Sequence, residues 1–155
     1  MIRRAHSADL PVLAALRWEF RTEGATPVEE RAAFEARFRK QVGAALADGS
    51  WQAWVAVADD GAGGRVVGHV YAARIGKLPN PVDEAETHLY VSNLYVRPEH
   101  RGRGLGRALL EAALAAAEDV DTDIDATVLW ARPGTAALYE RYGFAFSPEL
   151  MERRP

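Results

Sequence analysis

Between Val91 and Leu110 the chain reads Val91-Ser-Asn-Leu-Tyr-Val-Arg-Pro-Glu-His-Arg-Gly-Arg-Gly-Leu-Gly-Arg-Ala-Leu-Leu110, a β-rich run that breaks into a glycine- and arginine-rich loop and then opens a helix. Glycine at alternate positions, Gly102, Gly104 and Gly106, frees the backbone of Cβ atoms, so successive N–H groups can converge on an anion. The helix start adds unpaired amides and a partial positive charge. Arg101, Arg103 and Arg107 add full charges. A strand feeding a helix in this way calls for a crossover to a parallel neighbour, and the apolar run from Val128 to Trp130 is the candidate.

The rest of the chain is read around that unit. Its 155 residues suit one domain with a real core. Ile2 to Ala5 forms a short strand candidate, and Ser7 with Asp9 suits an N-cap and first-turn acid. Leu10, Leu13, Leu16 and Phe20 then recur at helical spacing up to Gly24. Thr26-Pro-Val-Glu29 reads as a capping box for a second helix carrying Phe34, Phe38, Val42 and Leu46 and ending near Gly49.

From Trp51 the period becomes strand-like. Trp51 to Ala58 and Val66 to Ile75 flank the turn Asp59 to Gly64 as a hairpin, Gly76 to Asp83 is a loop, and Glu86 to Val96 is a further strand. After the glycine loop, Leu105, Leu109, Ala112 and Ala116 mark a helix. An acidic turn from Asp119 to Asp125 precedes the strand at Val128, a helix from about Gly134 to Tyr142 follows it, and Gly143 to Phe146 is expected to be the last strand. Tight turns early and a crossover late predict a mixed sheet.

The absence of cysteine excludes a disulfide scaffold, a cysteine nucleophile and thiolate zinc sites. His6, His69, His88 and His100 lack metal-ligand spacing, so no metal is expected. A net charge of -3 argues against a general nucleic-acid binder. His6, Ser7 and Asp9 fall where a signal peptide needs an apolar core, and no run reaches the roughly 20 apolar residues of a membrane span, so the expectation is a cytoplasmic protein with no membrane partner.

Spacing sorts the phosphate loops. A P-loop needs Lys followed by Ser or Thr after its second glycine, and Arg107-Ala108 supplies neither. The dinucleotide fingerprint counted from Gly102 needs glycine where Arg107 stands. What matches is R-x-x-G-x-G, as Arg101, Gly104 and Gly106. With this pattern directly after a strand, the chain resembles the GCN5-related N-acetyltransferase (GNAT) superfamily and its acetyl-CoA pyrophosphate loop. Leu138-Tyr139-Glu-Arg-Tyr-Gly143-Phe144 is similar to the superfamily's C-terminal motif, in which a tyrosine four residues before Gly-Phe lies near the coenzyme sulfur. Together the motifs span about Glu86 to Phe146, and the element order of the first half agrees. Arg132 departs from the pattern, because the family commonly carries asparagine there, seven residues before the tyrosine.

The resemblance implies a single acyl-CoA N-acyltransferase domain, a mixed sheet flanked by about four helices, using acetyl-CoA without a metal. Leu94, Tyr95 and Val96 would face the pantetheine, with Leu94 and Val96 offering backbone groups and an N–H near Leu94 stabilising the oxyanion. Gly102, Arg103, Gly104, Leu105, Gly106 and Arg107, with Arg101, would hold the pyrophosphate. Tyr139 would protonate the leaving thiolate. Strand alternation places Glu86, His88, Tyr90 and Ser92 on one face until a bulge intervenes, which makes Glu86 and His88 the candidate bases, acting directly or through water. An acidic pocket rim would favour a cationic amine, and Glu19 and Glu23 are candidates for the acceptor entrance or simply a solvated helix face. The acceptor is expected to be a small amine, with a protein or peptide amine as the rival. A non-catalytic acyl-CoA sensor is the rival of a different class. Edge strands leave room for a homodimer.

Overall fold

The computed structural model describes residues 1–59, 64–118 and 123–153, with backbone only at 116–118. Among the described residues five strands, β1 (Ile2–Arg4), β2 (Gln52–Ala58), β3 (Arg65–Gly76), β4 (Thr87–Val96) and β5 (Ala126–Val128), form one sheet in sequence order. Its pairs are antiparallel up to β4, and β4 with β5 is parallel, as the strand-loop-helix unit demands. The helices are α1 (Leu10–Thr22), α2 (Arg31–Ala47), α3 (Leu105–Glu118) and α4 (Ala136–Glu140).

The sheet separates two apolar layers because its side chains alternate. On one face Leu13, Ala14 and Phe38 of α1 and α2 pack on Ala53, Val55 and Tyr71. On the other, Leu109, Leu110 and Ala113 of α3 pack on Trp54, Ala72, Leu89 and Val91. Leu109 and Leu110 are fully buried, each contributing roughly 2 kcal/mol through the apolar area removed from water. Asp9 ties the entrance of α1 to β1 by accepting two 2.7 Å hydrogen bonds from Arg3 and one of 2.9 Å from the His6 amide. Arg3 and these bonds hold its carboxyl below the usual carboxylate range.

Several expected boundaries move. The first cap falls on His6 rather than Ser7, and residues 7–9 form a 3-10 turn. α2 starts at Arg31, four residues past the predicted proline start, because Glu29 pairs forward with Arg37 instead of folding back on Thr26, and Val28 is fully exposed. β5 is Ala126–Val128, so Leu129 and Trp130 lie beyond its end. Gly143 to Phe146 is not a strand: Phe144 packs against Tyr139 with ring centroids 6.0 Å apart, while Phe146 is exposed. Residues 60–63 of the predicted hairpin turn, 119–122 of the acidic turn and the side chain of Ala116 lie outside the described residues.

One irregularity in β4 positions everything that follows. Ser92 pairs with Tyr71 and Tyr95 with His69, so Asn93 and Leu94 face the single residue Val70 across a bulge. Asn93 takes φ 57°, a left-handed conformation that asparagine tolerates. The extra residue inverts the alternation: Val91 and Val96 both face the α3 core, whereas Tyr95 joins Leu16 and Phe20 on the α1 side. Pairing with β5 ends at Tyr90 and Val128, so the two strands part where the bulge begins.

Candidate active site

A cleft of about 480 Å³ opens at that parting. Its walls are Tyr90 to Leu94 of β4, Arg17, Phe20 and Arg21 of α1, and Leu129, Trp130 and Arg132 beyond β5. Trp51, Thr135 and Tyr139 complete it. Tyr139 is carried by α4, a short helix whose Leu138 and Tyr139 pack against the α3-side core. Burial pushes its phenol above the ordinary tyrosine value, which keeps the proton on oxygen at neutral pH. The structure thus brings Leu94 and Tyr139, two sequence-predicted residues, to one cleft.

The glycine loop runs from β4 through a 3-10 turn (Pro98–His100) into α3. Gly102 and Gly104 have φ of 75° and 76°, a left-handed backbone that L side chains rarely adopt, and open space lies where their Cβ atoms would stand. The first helical hydrogen bond of α3 comes from the Ala108 amide to the Gly104 carbonyl at 3.0 Å. The amides of Leu105, Gly106 and Arg107 therefore belong to the unpaired first turn, directed out of the helix start. This is a cradle that fits a phosphate anion, built from backbone alone.

The arginines around it have other work. The guanidinium of Arg101 donates to the Val96 carbonyl at 2.8 Å and to Glu23 at 2.9 Å, and it stacks over Tyr95. It thus braces the exit of β4. Arg107 pairs with Glu111, which also accepts from the Tyr142 hydroxyl at 2.7 Å. Arg103 is exposed, with a 3.4 Å contact to the Glu99 carbonyl. Arg132 neither reaches the loop nor points freely to solvent: its guanidinium lies 4.0 Å over the Phe20 ring and donates to the Phe20 carbonyl at 3.2 Å.

The predicted bases are placed elsewhere. Glu86 precedes β4, is exposed and accepts the Asn80 amide at 2.6 Å. His88 pairs across the sheet with Ile75 and Ala126, with Nδ1 3.5 Å from Asp125. Neither lines the cleft. Glu19 and Glu23 do not line the cleft either, although Glu23 lies 3.9 Å from the lining residue Arg132. Glu19 accepts two 2.8 Å hydrogen bonds from Arg97, and Glu23 binds Arg101.

The rim that would favour a cationic amine is therefore not what lines this cleft. The cleft-lining residues include Arg17, Arg21 and Arg132 and no carboxylate. Sequence reading by apolar period passed over Arg17 and Arg21 because it followed Leu13, Leu16 and Phe20; the spacing of four that puts both cations on one side of α1 was the available signal. Trp51 packs on the α1-side core and also meets Tyr90 edge to face, and Tyr90 meets Trp130 likewise, with centroids 5.7 and 5.1 Å apart.

The sequence matches the family model described as the acetyltransferase (GNAT) family over residues 11–144. Among solved structures it is similar to a GCN5-related N-acetyltransferase from Ralstonia eutropha JMP134, at 29% identity and a TM-score of 0.76, covering 99% of this chain and 97% of that one. A predicted acetyltransferase from Clostridium acetobutylicum, solved with acetyl-CoA, shares the fold at 20% identity with a TM-score of 0.80, over 99% and 95% of the two chains. Glucosamine-6-phosphate N-acetyltransferase from Arabidopsis thaliana does so at 13% identity with a TM-score of 0.72, over 99% and 97%. No curated protein sequence matches. Among the described residues no helix is long and apolar enough to cross a membrane, and no cluster of three or more His, Cys, Asp or Glu could hold a metal ion.

Proposed function

This chain belongs to the acetyltransferase (GNAT) family, whose chemistry is acetyl-CoA-dependent acetyl transfer, and from that premise we propose that it acetylates a small primary amine held between α1 and β4. The observation that carries the reading is the coincidence, at one end of β4, of the parting from β5, the backbone cradle at α3 and the half-buried phenol of Tyr139. Acetyl-CoA supplies the activated acetyl thioester. Gly102 to Arg107 hold its pyrophosphate through main-chain amides, and the edge of β4 from Leu94 through Tyr95 to Val96, beyond the last pair with β5, receives the pantetheine arm.

The amine nitrogen forms a C–N bond to the acetyl carbon as the C–S bond breaks, so one proton leaves the amine and one arrives at the thiolate. A backbone N–H near Leu94 stabilises the developing oxyanion. Such a donor is worth about 3 kcal/mol where it has been removed in other enzymes. Tyr139 supplies the thiolate's proton, and its raised pKa keeps the donor form populated. On the other side, the cleft lining offers no carboxylate or imidazole, so the amine's proton leaves through water. His88, the next residue beyond Tyr90 on that strand face, serves as relay base, whereas Glu86 is engaged by Asn80.

The test is a thermal shift with acetyl-CoA followed by thiol release over a broad amine panel. Stabilisation by acetyl-CoA and release dependent on an amine are expected. The absence of any shift at saturating acetyl-CoA would remove the donor assignment. Tight binding with no release for any amine would make the chain an acyl-CoA-binding sensor.

A further inference from the structure

We propose that the acceptor amine carries its own anion, a carboxylate or a phosphate, on an apolar body, and that Arg17 binds that anion with Arg21 beside it. The inference rests on the acetyltransferase reading and specifies its acceptor. Arg17 is half-buried in the cleft wall and donates to the side-chain oxygen of Asn93, a neutral partner. Among the described residues no carboxylate pairs with Arg17 or Arg21. The carboxylates on and just after α1 are paired with other cations, Glu19 with Arg97, and Glu23 with Arg101 and, at 3.9 Å, with Arg132.

A guanidinium taken out of water without a counter-ion is costly, and Arg17 also feels Arg21 and Arg132. Burial first, and then Arg21, lowers its pKa, the direction an incoming anion would reverse. The cleft also carries an aromatic cluster of Trp51, Tyr90 and Trp130, packed edge to face. Trp130 is 62% exposed, a large apolar surface left open at the mouth. A cation-bearing peptide side chain would meet like charge on entering. An anionic amine neutralises the wall, buries its body on the aromatics and leaves its nitrogen toward the bulge. The same positive wall disfavours the ammonium form, which eases the loss of the proton that no lining carboxylate is there to take.

The experiment compares matched amines by thiol release: phenylalanine against phenylalaninamide and phenethylamine for the carboxylate, and 2-aminoethyl phosphate against ethanolamine for the phosphate. At least one anionic member should exceed its neutral partner tenfold in kcat/KM, and the better pair identifies the anion. Arg17→Met should abolish that preference through KM while the thermal shift with acetyl-CoA is retained, and Arg17→Lys should restore part of it. Should Arg17→Met fail to fold, Arg21→Met must reduce the preference. Neutral or cationic amines turned over as well as anionic ones would overturn the proposal, as would loss of acetyl-CoA binding in Arg17→Met, which would assign the guanidinium to the donor. If no amine reacts, the transferase reading falls first, and titration with phenylacetate and phenyl phosphate in the presence of CoA decides separately: binding that depends on Arg17 keeps the anion site, and no binding removes it.

Discussion

The guanidinium of Arg17 donates to the side-chain oxygen of Asn93, the one non-glycine residue with positive φ among those described. One contact therefore joins the cation facing the cleft to the bulge that opens it. Asn93→Ala removes the side-chain partner and leaves an alanine in a left-handed conformation, a strain of about 1 to 2 kcal/mol. Asn93→Gly removes the same partner without the strain. Urea unfolding should place Asn93→Ala below Asn93→Gly in midpoint; equal midpoints would show that φ at this position carries no cost.

Glu19 and Arg97 form a two-pronged ion pair, with both hydrogen bonds at 2.8 Å and Arg97 only 9% exposed, holding α1 against the end of β4. Arg97→Met strands a partly buried carboxylate and should cost about 1 to 3 kcal/mol by chemical denaturation. Replacing both partners together, Glu19→Gln with Arg97→Met, should cost less than the sum of the singles. Strict additivity would mean that the pair is not coupled.

His69 is fully buried on β3 beneath the bulge, and burial, followed by the charge of Arg17, lowers its pKa to about 3 from 6.5. The folded state thus excludes a proton that the unfolded state binds. This contribution is complete above pH 6.5 and is lost as pH falls toward about 3. The slope approaches roughly 1.4 kcal/mol per pH unit inside the window. His69→Leu should flatten the stability profile between pH 6 and about 4 whatever its absolute stability. An unchanged slope would place the pH dependence on other groups.

Gly104 sits at φ 76° with nothing within 4 Å of where a Cβ would be. Gly104→Ala therefore meets no clash inside the protein, only backbone strain of about 1 to 2 kcal/mol and a methyl in the cradle. The variant should remain folded by circular dichroism while its Kd for acetyl-CoA rises more than tenfold in calorimetry. Unaltered affinity would move the pyrophosphate away from this loop.

Tyr139→Phe keeps the ring against Phe144 and removes only the hydroxyl. Its kcat should fall about 10²-fold with acetyl-CoA affinity nearly constant. Equal turnover would end its role as proton donor.

The architecture was legible where periodicity and loop chemistry agree. The β4–α3–β5 unit follows from a strand breaking into Gly102, Gly104 and Gly106, and the parallel pairing of β4 with β5 follows from the crossover. What stayed hidden was set by tertiary pairing. Asn93 carries no local mark that would place a bulge at it, because the extra residue exists only relative to Val70 on the neighbouring strand. For the same reason no local mark announces the contact of Arg101 with Glu23, far away in sequence. The charge of the cleft is hidden for the same reason: the carboxylates Glu19 and Glu23 are visible in sequence, but their pairing with Arg97 and Arg101 is not, and Arg17 and Arg21 line the cleft without one.

The most direct test is acetyl transfer itself, followed by mass spectrometry with acetyl-CoA labelled in its acetyl carbons and the amine panel as acceptor. The account predicts a labelled N-acetyl product formed in step with free CoA, abundant for anionic amines and suppressed in Tyr139→Phe. Acetyl-CoA that binds and stabilises the protein yet leaves every amine unlabelled would contradict it.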